Sequence, residues 1–191
     1  MKIDIILAGV GGQGILSIAA TIGMAAVDAG MHLKQAEVHG MSQRGGDVQS
    51  HLRLSDKEIA SDLIPEGKAD MIISVEPMEA LRYLPMLSED GWVITNTKPF
   101  VNIPNYPAVE DVMNELKKVK NHIIIDADQI AADLGAAKSA NMVILGAASP
   151  FLAIEFSQLE KAIQWLFGKK GEEVVAKNIE ALRKGREMSG K

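Results

Sequence analysis

The strongest constraint on how this chain folds is the uncharged stretch Ile5–Val27, together with the glycines set inside it. Ile3–Ala8 is a short continuous apolar run that stops at Gly9, the pattern of a strand buried on both faces in a parallel sheet. From Gln13 to Ala29 the pattern turns helical. Ile15, Ile18, Ala19, Ile22 and Ala26 share one face and Ala, Leu and Val fill much of the other, so the helix is buried nearly all round. Gly30 supplies its stop. A membrane span or signal peptide is the competing reading of so long an uncharged run. Gly9, Gly11, Gly12, Gly14 and Gly23 interrupt it, Gln13, Ser17 and Thr21 lie within it, and Asp4 stands where a signal peptide carries positive charge. A strand, a glycine turn and a buried helix of a soluble, cytoplasmic protein are therefore expected.

The remainder of the chain extends this α/β pattern. A second strand is expected near His32–Val38, then the polar glycine-rich loop His39–Gly46, then a strand over Val48–Leu54 with apolar residues at alternate positions. Two strands without an intervening helix predict a hairpin-like or edge excursion. Asp70–Val75 reads as another buried strand, and a helix runs from Pro77 to about Leu84, with Pro at the first helical position. Ser88–Gly91 reads as a turn, Trp92–Thr95 as a strand, and Pro99, Pro104 and Pro107 mark an irregular connection. A helix over Val109–Val119, a strand at His122–Ile125 and helices over Asn141–Ala148 and Glu172 to about Arg186 follow. Ser157-Gln158-Leu159-Glu160 has the form of a capping box. With 191 residues and no repeat or linker, the expectation is one domain over residues 1–191, a three-layer α/β sandwich with a mostly parallel sheet and added C-terminal helices.

Composition narrows the chemistry. The chain has no cysteine, so it can build no disulfide, thiolate zinc site, cysteine nucleophile or cysteine-ligated iron–sulfur cluster from its own residues. A net charge of −5 without a concentrated basic face argues against nucleic acid, and 4% aromatic residues leave no base-stacking platform.

Two segments are candidates for ligand contact. Gly9-Val10-Gly11-Gly12-Gln13-Gly14 matches Gly-x-Gly-x-x-Gly between a strand and a helix. Such a turn brings backbone close to a ligand and offers free N–H groups to an anion; equally, the glycines serve to pack helix on sheet. Glu37, 23 residues beyond Gly14, stands near the place of the ribose-binding acid of a Rossmann-type NAD or FAD site. A loop and a strand, where a helix belongs, count against that reading. The second segment carries His39, Ser42, Gln43, Arg44, Gly45 and Gly46. Its guanidinium beside paired glycines suits a phosphate or carboxylate, and the loop is expected at the same sheet edge as the Gly9–Gly14 turn. Arg44 is the one candidate for a catalytic side chain. His32, His39, His51 and His122 lack metal-ligand spacing, Asp126 and Asp128 are expected to start a helix, and the methionines suit packing. No metal site is expected, and no nucleophile elbow or Walker loop is present.

Read together, Gly9–Gly14 and Glu37–Gly46 resemble the gamma subunits of the 2-oxoacid:ferredoxin oxidoreductases, and within them the small subunits of the indolepyruvate:ferredoxin branch. Asp62–Asp70, Glu76–Arg82 and Asn141–Gly146 add to the likeness, which covers the chain to about residue 150. The Gln43-Arg44-Gly45-Gly46 segment points to the aryl-2-oxoacid branch. The resemblance implies a Rossmann-like fold and a share in a reaction that decarboxylates an aryl pyruvate on thiamine diphosphate, reduces ferredoxin and forms an acyl-coenzyme A. It also implies a large partner subunit holding the thiamine diphosphate, Mg and iron–sulfur clusters. This chain lacks cysteine and the Gly-Asp-Gly thiamine motif, and is expected to be inactive alone. Self-association of the isolated chain is left open.

Overall fold

A computed structural model describes residues 1–39 and 45–190, with the backbone alone for His39. The apolar run at the start of the chain forms β1 (Lys2–Val10), buried from Ile3 to Val10. The sheet is completed by β2 (His32–His39), β3 (Asp47–Ser55), β4 (Ala69–Ser74), β5 (Leu87–Asn96) and β6 (His122–Ile125), in the order β2-β3-β1-β4-β5-β6. β1, β4, β5 and β6 are parallel. β3 is antiparallel to both β1 and β2 and lies between them. The expected hairpin is therefore present, and its second strand is inserted next to the centre.

Alternation along each strand separates two apolar layers. On one face Ile5, Leu7, Met71, Ile73 and Ile94 pack with residues of α1 (Ile15–Asp28), α4 (Ala127–Asp133), α5 (Ala140–Ala148), α6 (Phe156–Phe167) and α7 (Glu172–Met188). On the other, Ile6, Ile72 and Val93 pack with Ala80 of α2 (Pro77–Arg82) and with Val112 and Leu116 of α3 (Val109–Leu116). The three-layer α/β arrangement follows.

Two local expectations need correction. Ser88–Gly91 belongs to β5 rather than to a separate turn. Ala69 pairs with Leu87 while Met71 pairs with Trp92, so Asp70 alone faces the four residues Ser88–Gly91, which bulge out of register. The capping box at Ser157–Glu160 is not formed. α6 begins at Phe156 with Glu155 at its N-cap and no side-chain cap. Phe156 packs on the core and under the Arg186 guanidinium, and that burial sets the start of the helix. α2 ends early, at Arg82, before a 3₁₀ turn at Leu84–Met86 that holds Pro85. Asp126 does cap α4, accepting from the Gln129 N–H at 2.9 Å.

Two features hold the layers. α5 and α7 cross at Gly146 and Gly185. A Cβ on Gly185 would lie 1.9 Å from the Val143 carbonyl oxygen, and one on Gly146 would lie 2.0 Å from that of Leu182. The other is Asp4, fully buried on β1. Its carboxylate takes Arg53 Nε at 2.8 Å and Nη2 at 3.0 Å, with Lys2 Nζ at 2.7 Å. Burial alone would raise its pKa, but the hydrogen bonds from Arg53 and Lys2 outweigh it and hold the carboxyl below the usual range.

Gly185→Ala is expected to destabilise the fold by about 3 kcal/mol or more, because two backbones and not side-chain tips must separate; urea unfolding midpoints measure it. Asp4→Asn strands the Arg53 guanidinium and is expected to cost about 3 kcal/mol at neutral pH. Because the folded pKa of Asp4 is depressed, its contribution is present above the ordinary carboxylate range and is lost as pH falls through the folded value. The variant's acid-unfolding limb should therefore be flatter than the wild type's.

Candidate functional site

The site is built where the chain leaves β1. The turn after Val10 is closed on itself. The Gln13 N–H donates to the Val10 carbonyl (3.1 Å), and the Gln13 side-chain oxygen accepts from the Val10 N–H (2.8 Å). Gly12 and Gly14 have φ of +101° and +85°, a backbone region that a side chain strains. Around Gly12 there is open space, whereas a Cβ on Gly9 would strike Val75 and Ile15. The two readings of the glycine motif thus divide by residue: Gly9 packs helix against sheet, and Gly12 leaves backbone facing a hollow. α1 starts at Gly14 with no side-chain cap and no acidic residue in its first turn. Its first N–H groups and dipole favour an anion there.

The second glycine segment reaches the same edge through β3. The register runs from Lys2 opposite Ser55 to Val10 opposite Asp47, which brings Gly46 against Gly11. The Gly11 N–H donates to the Gly46 carbonyl (2.8 Å), and the Gly45 N–H donates to the Gly11 carbonyl (3.3 Å). Asn102, in the connection before α3, donates from Nδ2 to the Gly45 carbonyl at 2.7 Å. Ser42, Gln43 and Arg44 lie outside the described residues, as does the side chain of His39.

This edge is also the point where the helices part. The chain crosses to one face after β1, with α1, and to the other after β4, with α2. Such a switch point opens a crevice between the two strands, where α/β sheets place ligands. Three hollows meet at Gly12. The crevice itself, about 350 Å³, is lined by Gln13, Val75, Asn96, Asp128 and Asn141. A groove of about 650 Å³ continues past α1 to Lys138, Lys170, Lys177 and Asn178. On the far side of the turn a pocket of about 410 Å³ is lined by Val10, Ile15, Leu16, Val48 and Glu37.

Polar side chains fix these walls. Asn96 donates to Asp128 (2.7 Å) and accepts from the Ala127 N–H (3.0 Å), and Lys98 also reaches Asp128. Asp126 and Asp128 therefore point to different partners and form no carboxylate pair. Asn141 donates to the Gly14 carbonyl at 3.1 Å, tying α5 to the start of α1. Glu76, buried at the N-cap of α2, accepts from the N–H groups of Glu79 and Phe100 and from the Tyr106 hydroxyl. Beyond it, Tyr83 donates to Asp47 Oδ2 (2.7 Å), and Arg82 grips Glu79 at 2.8 and 3.3 Å. Burial pushes the Glu79 carboxyl up to about 7, with Arg82 pulling it down and the adjoining Asp47 carboxylate pushing it further up.

The histidines are structural where their contacts are described. His51 is buried, accepts from the Ile64 N–H at 3.0 Å, and is held below its usual pKa by burial and then by Arg53. His122 bonds the Val119 carbonyl. Among the described residues no three His, Asp or Glu side chains are grouped to hold a metal ion, and no helix is long and apolar enough to cross a membrane.

Sequence reasoning missed the acidic cluster and the lysine groove. Glu76 before Pro77 had the form of an N-cap followed by Pro at N1. The lysines come from two distant helices and their approaches, and no spacing announces them. The dinucleotide reading also fails on geometry. β3 separates β2 from β1 and no helix follows β2, so the βαβ unit of that reading is absent although Glu37 borders the pocket beside the turn.

Residues 4–188 match the family described as pyruvate ferredoxin/flavodoxin oxidoreductase. The chain is 37% identical to indolepyruvate oxidoreductase subunit IorB of Archaeoglobus fulgidus, over 97% of this chain and 94% of that one. It is 40% identical to the IorB subunit of Pyrococcus horikoshii, over 75% of each. Its fold is that of the gamma subunit of keto/oxoacid ferredoxin oxidoreductase from Geobacter sulfurreducens (TM-score 0.73, 22% identity, 98% of both chains). It also superposes on the 2-oxoglutarate:ferredoxin oxidoreductase of Magnetococcus marinus, a structure with 2-oxoglutarate, coenzyme A and succinyl-CoA bound (TM-score 0.80, 24% identity). There it covers 99% of this chain and spans 31% of that longer one. The chain belongs to the pyruvate ferredoxin/flavodoxin oxidoreductase family, among its IorB-type and gamma small subunits.

Proposed function

We propose that this chain, acting as one domain over residues 1–191, is the small subunit of an indolepyruvate or other aryl pyruvate:ferredoxin oxidoreductase. The enzyme oxidatively decarboxylates the 2-oxo acid, reduces ferredoxin and transfers the acyl group to coenzyme A. The observation that carries the reading is that a chain matching IorB subunits along nearly its whole length contains no cysteine at all. A ferredoxin-linked reaction needs a cluster-bearing protein, and this one has no thiolate to ligate a cluster. Nor do its described residues offer a group of carboxylates or histidines for Mg-diphosphate. Thiamine diphosphate, Mg and the iron–sulfur clusters are assigned to a large partner subunit.

What this chain supplies is a binding edge. The switch-point crevice, the uncapped start of α1 and the lysine groove suit anionic groups, namely the substrate carboxylate or the phosphates of coenzyme A. The adjoining connection presents Phe100, Val101 and Ile103 to solvent beside the Gly45 anchor. An apolar rim around a polar edge suits coverage by the partner subunit. Arg44, with Ser42, Gln43 and His39, is the proposed contributor from the second glycine segment.

Co-expression with the large subunit is expected to give coenzyme A-dependent ferredoxin reduction with indolepyruvate; an equally active large subunit without this chain would refute the assignment. In that complex Arg44→Ala is expected to lower kcat/KM while leaving the melting temperature unchanged. Lys138→Ala is expected to raise the KM for coenzyme A a few-fold, about what one exposed charge contributes, and the effect should shrink with added salt.

A further inference from the structure

The groove that runs from the turn at Gly12 past α1 to α7 joins two kinds of side chain that a bare anion does not need together. Its cations are Lys138, Lys170 and Lys177. Lys170 stands over the Phe167 ring, and Lys177 pairs with Glu173. Among the described residues no carboxylate lines the groove. Beside the cations stand two asparagines, Asn141 on α5 and Asn178 on α7, only 9% and 7% exposed.

Backbone partners fix which way each amide points. Asn141 Nδ2 donates to the Gly14 carbonyl at 3.1 Å, and Asn178 Nδ2 donates to the Val174 carbonyl, one turn back, at 2.7 Å. Each side-chain oxygen is therefore the free end. Among the described residues neither oxygen has a donor. Neither is sealed inside the protein, because the Thr95 hydroxyl is the only wholly enclosed side-chain polar atom there without a partner. Two nearly buried carbonyl oxygens thus have the groove as their outlet. Gln13 shows the converse. Its Oε1 accepts from the Val10 N–H at 2.8 Å, so its free end at the groove is the donor, Nε2.

This set decides what the groove can hold. The oxygens of a carboxylate or phosphate are acceptors, and against Asn141 or Asn178 acceptor meets acceptor. A ligand that brings N–H groups satisfies both asparagines, its own carbonyl can take the Gln13 N–H, and an anionic end can lie on the lysines. Secondary amides next to a phosphate have that pattern; the acid end of a 2-oxo acid does not.

We propose that Asn141 and Asn178 are specificity-determining residues, whose oxygens accept from the amide N–H groups of a phosphorylated ligand seated on the lysines of the same groove. This rests on the reading of the chain as part of a coenzyme A-dependent enzyme. On that reading the groove holds coenzyme A by the amides of its pantetheine arm as well as by its phosphates, and the 2-oxo acid binds elsewhere.

Titration of the full chain with two probes tests this, read by NMR at the groove. Pantetheine, which has the amides and no phosphate, is expected to shift the side-chain N–H signals of Asn141 and Asn178, with an affinity that added salt leaves unchanged. Inorganic pyrophosphate is expected to bind at the lysines, with an affinity that falls as salt is added. In Asn178→Leu the Val174 carbonyl keeps its helix bond and the groove loses one acceptor. Pantetheine should then bind about two- to tenfold more weakly, as expected for one hydrogen bond, and pyrophosphate as before. No shift at either asparagine in the wild type, or equal pantetheine affinity in the variant, would overturn the proposal. Should that variant fold poorly, the wild-type titration decides alone. In the assembled enzyme Asn178→Leu should raise the KM for coenzyme A by a similar factor and leave the KM for the 2-oxo acid unchanged; the reverse pattern would overturn the assignment. An assembled enzyme that never reduces ferredoxin counts against the functional reading, and is told apart because the titration is read on this chain alone.

Discussion

The carboxyl edge of this molecule depends on the antiparallel ladder between β1 and β3. Because β3 runs back along β1 in register from Ser55 to Asp47, the end of the hairpin loop is returned to the place where β1 stops. Gly46 then meets Gly11, and two glycine segments far apart in sequence become one surface joined by backbone hydrogen bonds. The same ladder displaces β2 outward. A chain that shares the glycine signature of dinucleotide-binding folds thereby departs from their geometry, since β3 stands between β1 and the strand that carries Glu37.

With that edge set, the remaining groups fall into an order of electrostatic roles. On the sheet side, Asn96 and Asn141 settle backbone and carboxylate partners and keep the crevice walls rigid. Toward α7 the lining turns cationic, through Lys138, Lys170 and Lys177, although Lys177 is partly engaged by Glu173 at 2.7 Å. An anion entering the groove is drawn toward these lysines.

Most of the fold was legible in the sequence because burial wrote it there. The continuous apolar run of β1, the all-round apolar α1 and the alternation in β3 each match their layer, and the missing helix between β2 and β3 announced the hairpin. What failed was local. Ser88–Gly91 reads as a turn because its residues are polar, yet the ladder on either side absorbs them as a bulge. Ser157 reads as a cap, yet Phe156 is worth more against the core. At the site, the glycine turns could be found from spacing, whereas the acidic cluster could not. Glu79 looks like any helix-surface acid until the start of β3 brings Asp47 to α2.

The crossing at Gly146 and Gly185 has a consequence beyond packing. α7 carries Lys177 and Asn178 into the groove, and its backbone meets that of α5 in close contact. Lys177 and Asn178 therefore stand in the groove only while α7 stays docked on α5. A ligand bridging them and the turn at Gly12 adds its binding free energy to the docking of α7. Occupancy of the groove and order of the C-terminal helix become two readings of the same equilibrium.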